Sequence, residues 1–219
     1  MRLSISALII CVALGVSDLS GGPDQRALLL NPEAPEFARP APDRAEIRFD
    51  TTRGDVVIEV VRAWAPRGAD RFVNLVRYGY YDDARFFRVT AGRWVQFGVS
   101  GDPAVAQAWR ERTFEDDPFR ESNVRGTVAF AFAVANGRTT QVFINLRDNS
   151  PTHDQEPFVP FGRVIAGMDV VDGFSGEHGE GPGGIRAGGQ DPFFAGGNAW
   201  LDGRFPGLDA IRQSTITTR

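Results

Sequence analysis

The sequence predicts a mainly β domain with a closed or nearly closed sheet. Alternating and β-branched stretches open the folded part, short strand candidates follow one another closely, and only one or two segments have helical periodicity. The chain has 219 residues, 42% hydrophobic and 11% aromatic, enough for one substantial core and too apolar for a disordered or fibrous protein.

At the start, Met1-Arg2-Leu3 is basic and residues 5–16 (ISALIICVALGV) are predominantly apolar. That run has the length of a signal h-region and is short for crossing ~30 Å of hydrocarbon. Small residues at Ala13 and Gly15, or Gly15 and Ser17, suit a signal peptidase, so 1–20 is expected to be an export signal. An uncleaved N-terminal anchor is the alternative. Segment 21–44 carries Pro23, Pro32, Pro35, Pro40 and Pro42, which fix φ and remove donors, so it is expected to be an extended tether ahead of a domain spanning 45–219.

In the folded part, Glu46-Ile47-Arg48-Phe49-Asp50 alternates, Thr52-Arg53-Gly54-Asp55 is rich in turn formers, and Val56-Val57-Ile58-Glu59-Val60-Val61 is β-branched, which reads as a hairpin. Pro66 at a first helical position, Ala69, Phe72, Leu75 and Val76 at helical spacing, and Gly79 beyond them predict a helix with one buried face. Strand candidates follow at 84–89, 94–99, 126–133, 141–145 and 161–164. A brief second helix is expected at 168–173, ending at Gly173. Residues 175–197 are dominated by glycine without periodicity and read as a long surface loop, after which 205–216 returns to the sheet.

Composition narrows the chemistry. All 24 basic residues are Arg, so Schiff-base, P-loop-lysine and lysine-base chemistry are excluded. Two histidines, His153 and His178, and the single Cys11 exclude a three-His zinc site, a CxxC pair and an internal disulfide. Net charge is −4 with the arginines scattered among acids, so nucleic acid is not an expected partner. Glu115-Asp116-Asp117 and Glu177-His178-Glu180 lie in turn-rich segments and read as solvated loops rather than metal sites. The two histidines have the setting of exposed loop residues, not of an oriented base. Gly179-Glu180-Gly181-Pro182-Gly183-Gly184 spells GxGxxG, but no strand leads into it and Pro182 forbids an opening helix, so dinucleotide binding is rejected.

Four blocks carry a resemblance. They are Phe86-Phe87-Arg88-Val89-Thr90-Ala91-Gly92-Arg93-Trp94-Val95-Gln96-Phe97-Gly98, Arg125-Gly126-Thr127-Val128-Ala129-Phe130-Ala131, Thr140-Gln141-Val142-Phe143-Ile144-Asn145, and Phe161-Gly162-Arg163-Val164 with Gly167-Met168-Asp169-Val170-Val171. Their order and spacing over about residues 47–171 resemble the cyclophilin-type peptidyl-prolyl cis-trans isomerases, and the ending Gly197-Asn198-Ala199-Trp200-Leu201 with Phe205-Pro206-Gly207-Leu208-Asp209 looks like the tail of exported bacterial members. The resemblance implies an eight-stranded antiparallel barrel capped by two helices, with no metal or organic cofactor. It implies a catalytic set of Arg88, Gln96 and Phe143, and substrate contacts from Trp94, the Ala131 backbone, Phe132, Gln141, His153 and Phe158. Implied partners are proline-containing polypeptides and cyclosporin-like ligands, met by a monomer outside the cytoplasm, periplasmic or extracellular.

That chemistry needs no nucleophile. Amide resonance sets a barrier of ~18–20 kcal/mol to rotation, and a donor that stabilises the twisted prolyl nitrogen beside an apolar pocket for the ring lowers it. An arginine, always charged, suits the task. Without the resemblance, Arg88 reads as a surface ion pair, Gln96 as a loop brace and Phe143 as core. Arg93 and Trp94 replace Phe and Met of many members, Phe132 replaces a polar residue, and residues 153–158 lack a Trp-Leu or Phe-Leu element. A charged Arg93 at the pocket wall must reach water or find an acid. The rival expectation is therefore a catalytically weak or inactive peptide-binding scaffold whose groove Arg93 and Trp94 obstruct.

Overall fold

In the computed structural model, residues 23–182 and 189–218 are described; the expected signal segment and the last two glycines of the GxGxxG string lie outside them. The predicted hairpin is present as β1 (Arg44–Thr51) and β2 (Gly54–Val61). Strands β3 (Arg88–Thr90), β4 (Trp94–Phe97), β5 (Thr127–Phe130), β6 (Val142–Asn145), β7 (Pro160–Ala166) and β8 (Ile211–Thr218) complete one sheet in the order β3-β4-β6-β5-β7-β2-β1-β8. Every neighbouring pair is antiparallel.

The sheet curls until its two ends meet. Phe86 N donates to Asp209 O and Ile211 N to Ala84 O, each at 2.9 Å, around an Arg85–Ala210 bridge. Val89, Val95, Phe97, Val128, Phe130, Val142 and Ile144 turn their side chains into the core, with Phe49, Phe72, Tyr81 and Phe161. Gly98, at φ +106°, has room for no side chain: a Cβ would stand 2.5 Å from the Thr140 carbonyl oxygen.

The helical content exceeds the two caps expected. The predicted helix is present as α2 (Pro66–Arg77), burying Ala69, Phe72, Leu75 and Val76. The brief second helix expected at 168–173 is α5 (Met168–Asp172), ending at Gly173, and the additional helices are α1 (Pro23–Leu29), α3 (Pro103–Arg110), α4 (Ser150–His153) and α6 (Asp191–Arg204), the last broken at Gly197. Helix α6 starts inside the stretch expected to be loop. Its Phe193, Phe194 and Leu201 form a second apolar cluster with Ala106 of α3 and with Phe87 and Val99, which supplies burial where the sequence has no helical period.

The proline-rich segment is not an extended tether across its described part. Leu29 is buried, its carbonyl accepts from Trp109 Nε1 at 2.8 Å, and Phe37 packs edge-on against Tyr78 and Trp109. Asn74 Nδ2 donates to the Phe37 and Arg39 carbonyls. Proline fixes local backbone, but intervening apolar residues find a groove on α2 and α3.

The acidic clusters also gain structural duties. Asp117 accepts from the Arg67 and Gly68 N–H groups at the start of α2, and Asp116 pairs with the buried Arg138.

Candidate active site

Antiparallel register builds the site from the sheet outward. Arg88 on β3 faces Gln96 on β4, Gln96 faces Phe143 on β6, and Phe143 faces Ala129 on β5. Cross-strand partners share a face and residues two apart share it too, so Thr90, Trp94 and Asn145 lie in a parallel row. Residues between them point into the core. The alternation thus delivers a cation, an amide and aromatic rings to the outer surface of the barrel.

Arg88 is held on several sides. Its Nη1 donates to Gln96 Oε1 at 2.9 Å, its Nη2 to Glu180 Oε1 at 2.6 Å, and its guanidinium carbon stands 5.4 Å from the Trp94 ring centroid. The Arg88 Nε and the Trp94 indole nitrogen are shielded and have no hydrogen-bond partner among the described residues. Gln96 passes the row on, donating through Nε2 to Gln141 Oε1 at 2.8 Å.

Next to this polar row lies an aromatic cluster. Phe143 is 4% exposed, with His153 at 5.6 Å and Phe158 at 5.4 Å between ring centroids. His153 also lies 4.9 Å from Phe158 and 5.5 Å from Trp94, and Phe132 lies 4.5 Å from Phe158. The structure therefore brings together Arg88, Gln96, Gln141, Phe143, Trp94, His153, Phe158 and Phe132. Ala131 flanks the cluster, but its N–H donates to the Gln141 carbonyl at 2.9 Å, so only its own carbonyl is left for a peptide backbone.

Arg93 takes the first of the two courses open to it. Its side chain is exposed, with the guanidinium 5.5 Å from the Trp94 ring centroid, so the charge reaches water and stacks on the indole rather than entering the wall.

The histidines depart from the sequence reading of exposed loop residues. His153 is half-buried; burial pushes its pKa below the usual histidine value, opposed by Glu156 and Asp154 and assisted by Arg147 and Arg93. His178 is bonded through Nε2 to the Pro206 carbonyl at 2.9 Å and packs on Phe205.

A buried amide network positions the wall. Asn149 Nδ2 donates to Asn145 Oδ1 and to the Arg93 carbonyl, Asn145 Nδ2 to Thr127 Oγ1, and Asn123 Nδ2 to Asp154 and to the Phe158 carbonyl. Each buried amide is satisfied, which fixes α4 and the 153–158 loop relative to β4 and β6. Arg138, 2% exposed, stands behind Phe132 with its guanidinium carbon 4.7 Å from the ring centroid and donates to the Pro157 carbonyl. Burial pushes Arg138 down to about 10, leaving it protonated at neutral pH. Glu180 and Gln190 escape sequence reasoning because each reaches the site across a long sequence separation, and Arg138 because no local motif marks a charge that the fold buries behind Phe132.

Residues 46–182 match the family model for cyclophilin type peptidyl-prolyl cis-trans isomerases. The chain belongs to this family. Among curated relatives, the cyclophilin-type chain is 31% identical over 138 residues to peptidyl-prolyl cis-trans isomerase B of Escherichia coli, a match covering 59% of this chain and 84% of that protein. It is 32% identical over 142 residues to the isomerase cyp18 of Streptomyces antibioticus, covering 59% and 82%. It is 30% identical over 152 residues to isomerase A of Dickeya dadantii, covering 68% and 79%. A solved cyclophilin type isomerase of Cryptosporidium parvum shares the fold, with a TM-score of 0.59 at 18% identity, covering 80% of this chain and 99% of that one. The eight-stranded curled sheet matches the cyclophilin fold, while α1, α6 and β8 fall outside the residues the family model matches.

Proposed function

We propose that this cyclophilin-type chain isomerises X–Pro bonds in exported, newly translocated polypeptides. The observation that carries the reading is the cross-strand row Arg88–Gln96–Phe143, which sets a permanent cation and a bonded amide beside an aromatic surface. A second solved structure of the Cryptosporidium parvum protein was obtained in the presence of the dipeptide Ala-Pro, the substrate chemistry to which such a surface is suited.

In this mechanism the proline ring rests on the rings of Phe143, Phe158 and Trp94, and the Gln96–Gln141 pair holds the peptide backbone. Turning the preceding carbonyl breaks amide conjugation and localises the lone pair on the prolyl nitrogen. An Arg88 N–H then donates to that nitrogen more strongly than it does in either planar state. Each ~1.4 kcal/mol of such preference is worth tenfold in rate. Each terminal nitrogen of Arg88 carries a second N–H besides the one bonded to Gln96 or Glu180, and that is the donor a substrate can meet, since Nε is shielded. Export rests on the signal-like 1–20 segment, and the N-terminus of the mature protein tests it.

A protease-coupled assay on an X–Pro peptide tests the activity: wild type accelerates exchange and Arg88→Ala loses most of it. A rate no greater than background refutes the enzymatic reading.

A second reading, a peptide-binding scaffold, draws on the Arg88–Glu180 pair and on the small exposure of Phe143. Titrating Trp94 fluorescence with a proline peptide separates the two, since a scaffold binds without turnover.

A further inference from the structure

The polar row does not stop at the residues contributed by the strands. Read across the surface it runs Glu180, Arg88, Gln96, Gln141, Gln190, each bonded to the next. Both end members come from the glycine-rich stretch after α5. Gln190 exchanges two bonds with Gln141, Nε2 of Gln141 to Oε1 of Gln190 at 2.7 Å and the reverse at 3.2 Å, and is 6% exposed. Glu180 also lies 3.4 Å from Thr90 Oγ1.

Neither residue hangs on a free strand of chain. Turn bonds Gly179 N to Gly176 O and Gly181 N to His178 O flank Glu180, and His178 is bonded to the Pro206 carbonyl. Gln190 is the residue before α6, its carbonyl accepting from Phe194 N. The side chains of Arg88 and Glu180 are 17% and 31% exposed, so the contact combines partial desolvation with a short charge-assisted bond.

A guanidinium on a flexible stem loses rotamer entropy each time it must find one geometry. Acceptors at both terminal nitrogens and an indole face remove that freedom beforehand, while each terminal nitrogen keeps a second N–H for the substrate. We propose that Glu180 and Gln190 are positioning residues that clamp the row from its two ends. The C-terminal extension is then part of the catalytic apparatus. This inference rests on the isomerase reading above.

The test measures kcat and KM of the full chain on an X–Pro peptide, with melting temperature, for wild type, Arg88→Ala, Glu180→Ala, Glu180→Gln and Gln190→Ala. Glu180→Ala is expected to lower kcat about tenfold with KM within about twofold, the pattern of an interaction needed in the transition state. Glu180→Gln, which keeps an accepting oxygen, recovers most of that loss, and Gln190→Ala loses about threefold through Gln141 and Gln96. The melting temperature of Glu180→Ala is expected to fall by no more than a few degrees, because one partly buried ion pair on a loop is lost and the core is untouched, so the protein stays folded at the assay temperature. A rise in kcat on Glu180→Ala overturns the proposal by showing that the carboxylate competes with substrate, and so does an unchanged kcat or a loss that follows the melting temperature. The isomerase reading fails separately, if Arg88→Ala equals wild type or wild type has no activity.

Discussion

Gln96 serves two partners at once, accepting from Arg88 and donating to Gln141 while itself buried. Gln96→Leu keeps the volume and leaves both neighbours with unmet bonds, so kcat/KM is expected to fall at least about tenfold, with a smaller change in binding. His153 governs the apolar side of the same surface. Its pKa in the folded chain is depressed by burial among Phe143, Phe158 and Trp94, below the ordinary 6.5. Between the ordinary and the depressed value the unfolded chain binds more protons, so stability falls as pH drops through that window and levels off below it. Above about 6.5 both states are neutral and the residue contributes no slope. Melting temperatures measured from pH 7.5 to 5 should therefore decline more steeply for wild type than for His153→Phe, and equal slopes would contradict this. Of the site's residues, Arg88, Gln96 and Phe143 are legible through the resemblance of their blocks to cyclophilins, whereas pattern alone reads them as an ion pair, a loop brace and core; their cross-strand register comes from the structure. Glu180 was not legible, because an acid in a glycine-rich loop looks solvated until the fold carries it to β3.

At the scale of elements, the segments that local pattern describes are the ones the sequence places correctly. The hairpin, α2 and the strand candidates carry alternation or a buried stripe, and β8 follows from the apolar return near the end. Of the four helices among the described residues that were not expected, α1, α3, α4 and α6, two escaped for different reasons. Helix α3 opens with Asp102 capping Ala104 and Val105 and with Pro103 in its first turn, a short signal easily read as a turn between strands. Helix α6 contains Gly196, Gly197 and Gly203, which mask any periodicity; Gly197 adopts φ +56° at the break, where a Cβ would meet the Gly101 carbonyl oxygen at 2.2 Å. The proline-rich segment misled in the opposite direction. Phe37 there lies between Tyr78 and Trp109, and Phe37→Ala is expected to cost about 1–3 kcal/mol in chemical denaturation, as partial removal of a packed ring does. A cost near zero would show that this segment behaves as a tether after all.

Across the whole molecule, one carboxylate joins three distant stretches of chain where the sheet curls shut. Asp209 accepts from Thr52 Oγ1 at 2.8 Å, from Arg53 Nε at 2.9 Å and from Ser175 N at 2.7 Å, linking the β1–β2 turn, the segment after α5 and the approach to β8. Asp209→Ala strands these donors in a largely buried place and is expected to destabilise the fold by about 2–4 kcal/mol. Closure matters for chemistry because β3, which carries Arg88, is an edge strand, and its approach is fixed through Phe86 N and Asp209 O. The same closure brings the glycine-rich extension to the reacting face.

The central claim is that Arg88, fixed in this outward row, stabilises a half-rotated X–Pro bond. NMR exchange spectroscopy on a short X–Pro peptide measures that rotation at equilibrium. The account predicts cis/trans exchange peaks with wild-type protein at catalytic concentration and their collapse, by about a hundredfold in rate, with Arg88→Ala. Equal exchange rates for the two proteins, or none above the free peptide, would contradict it.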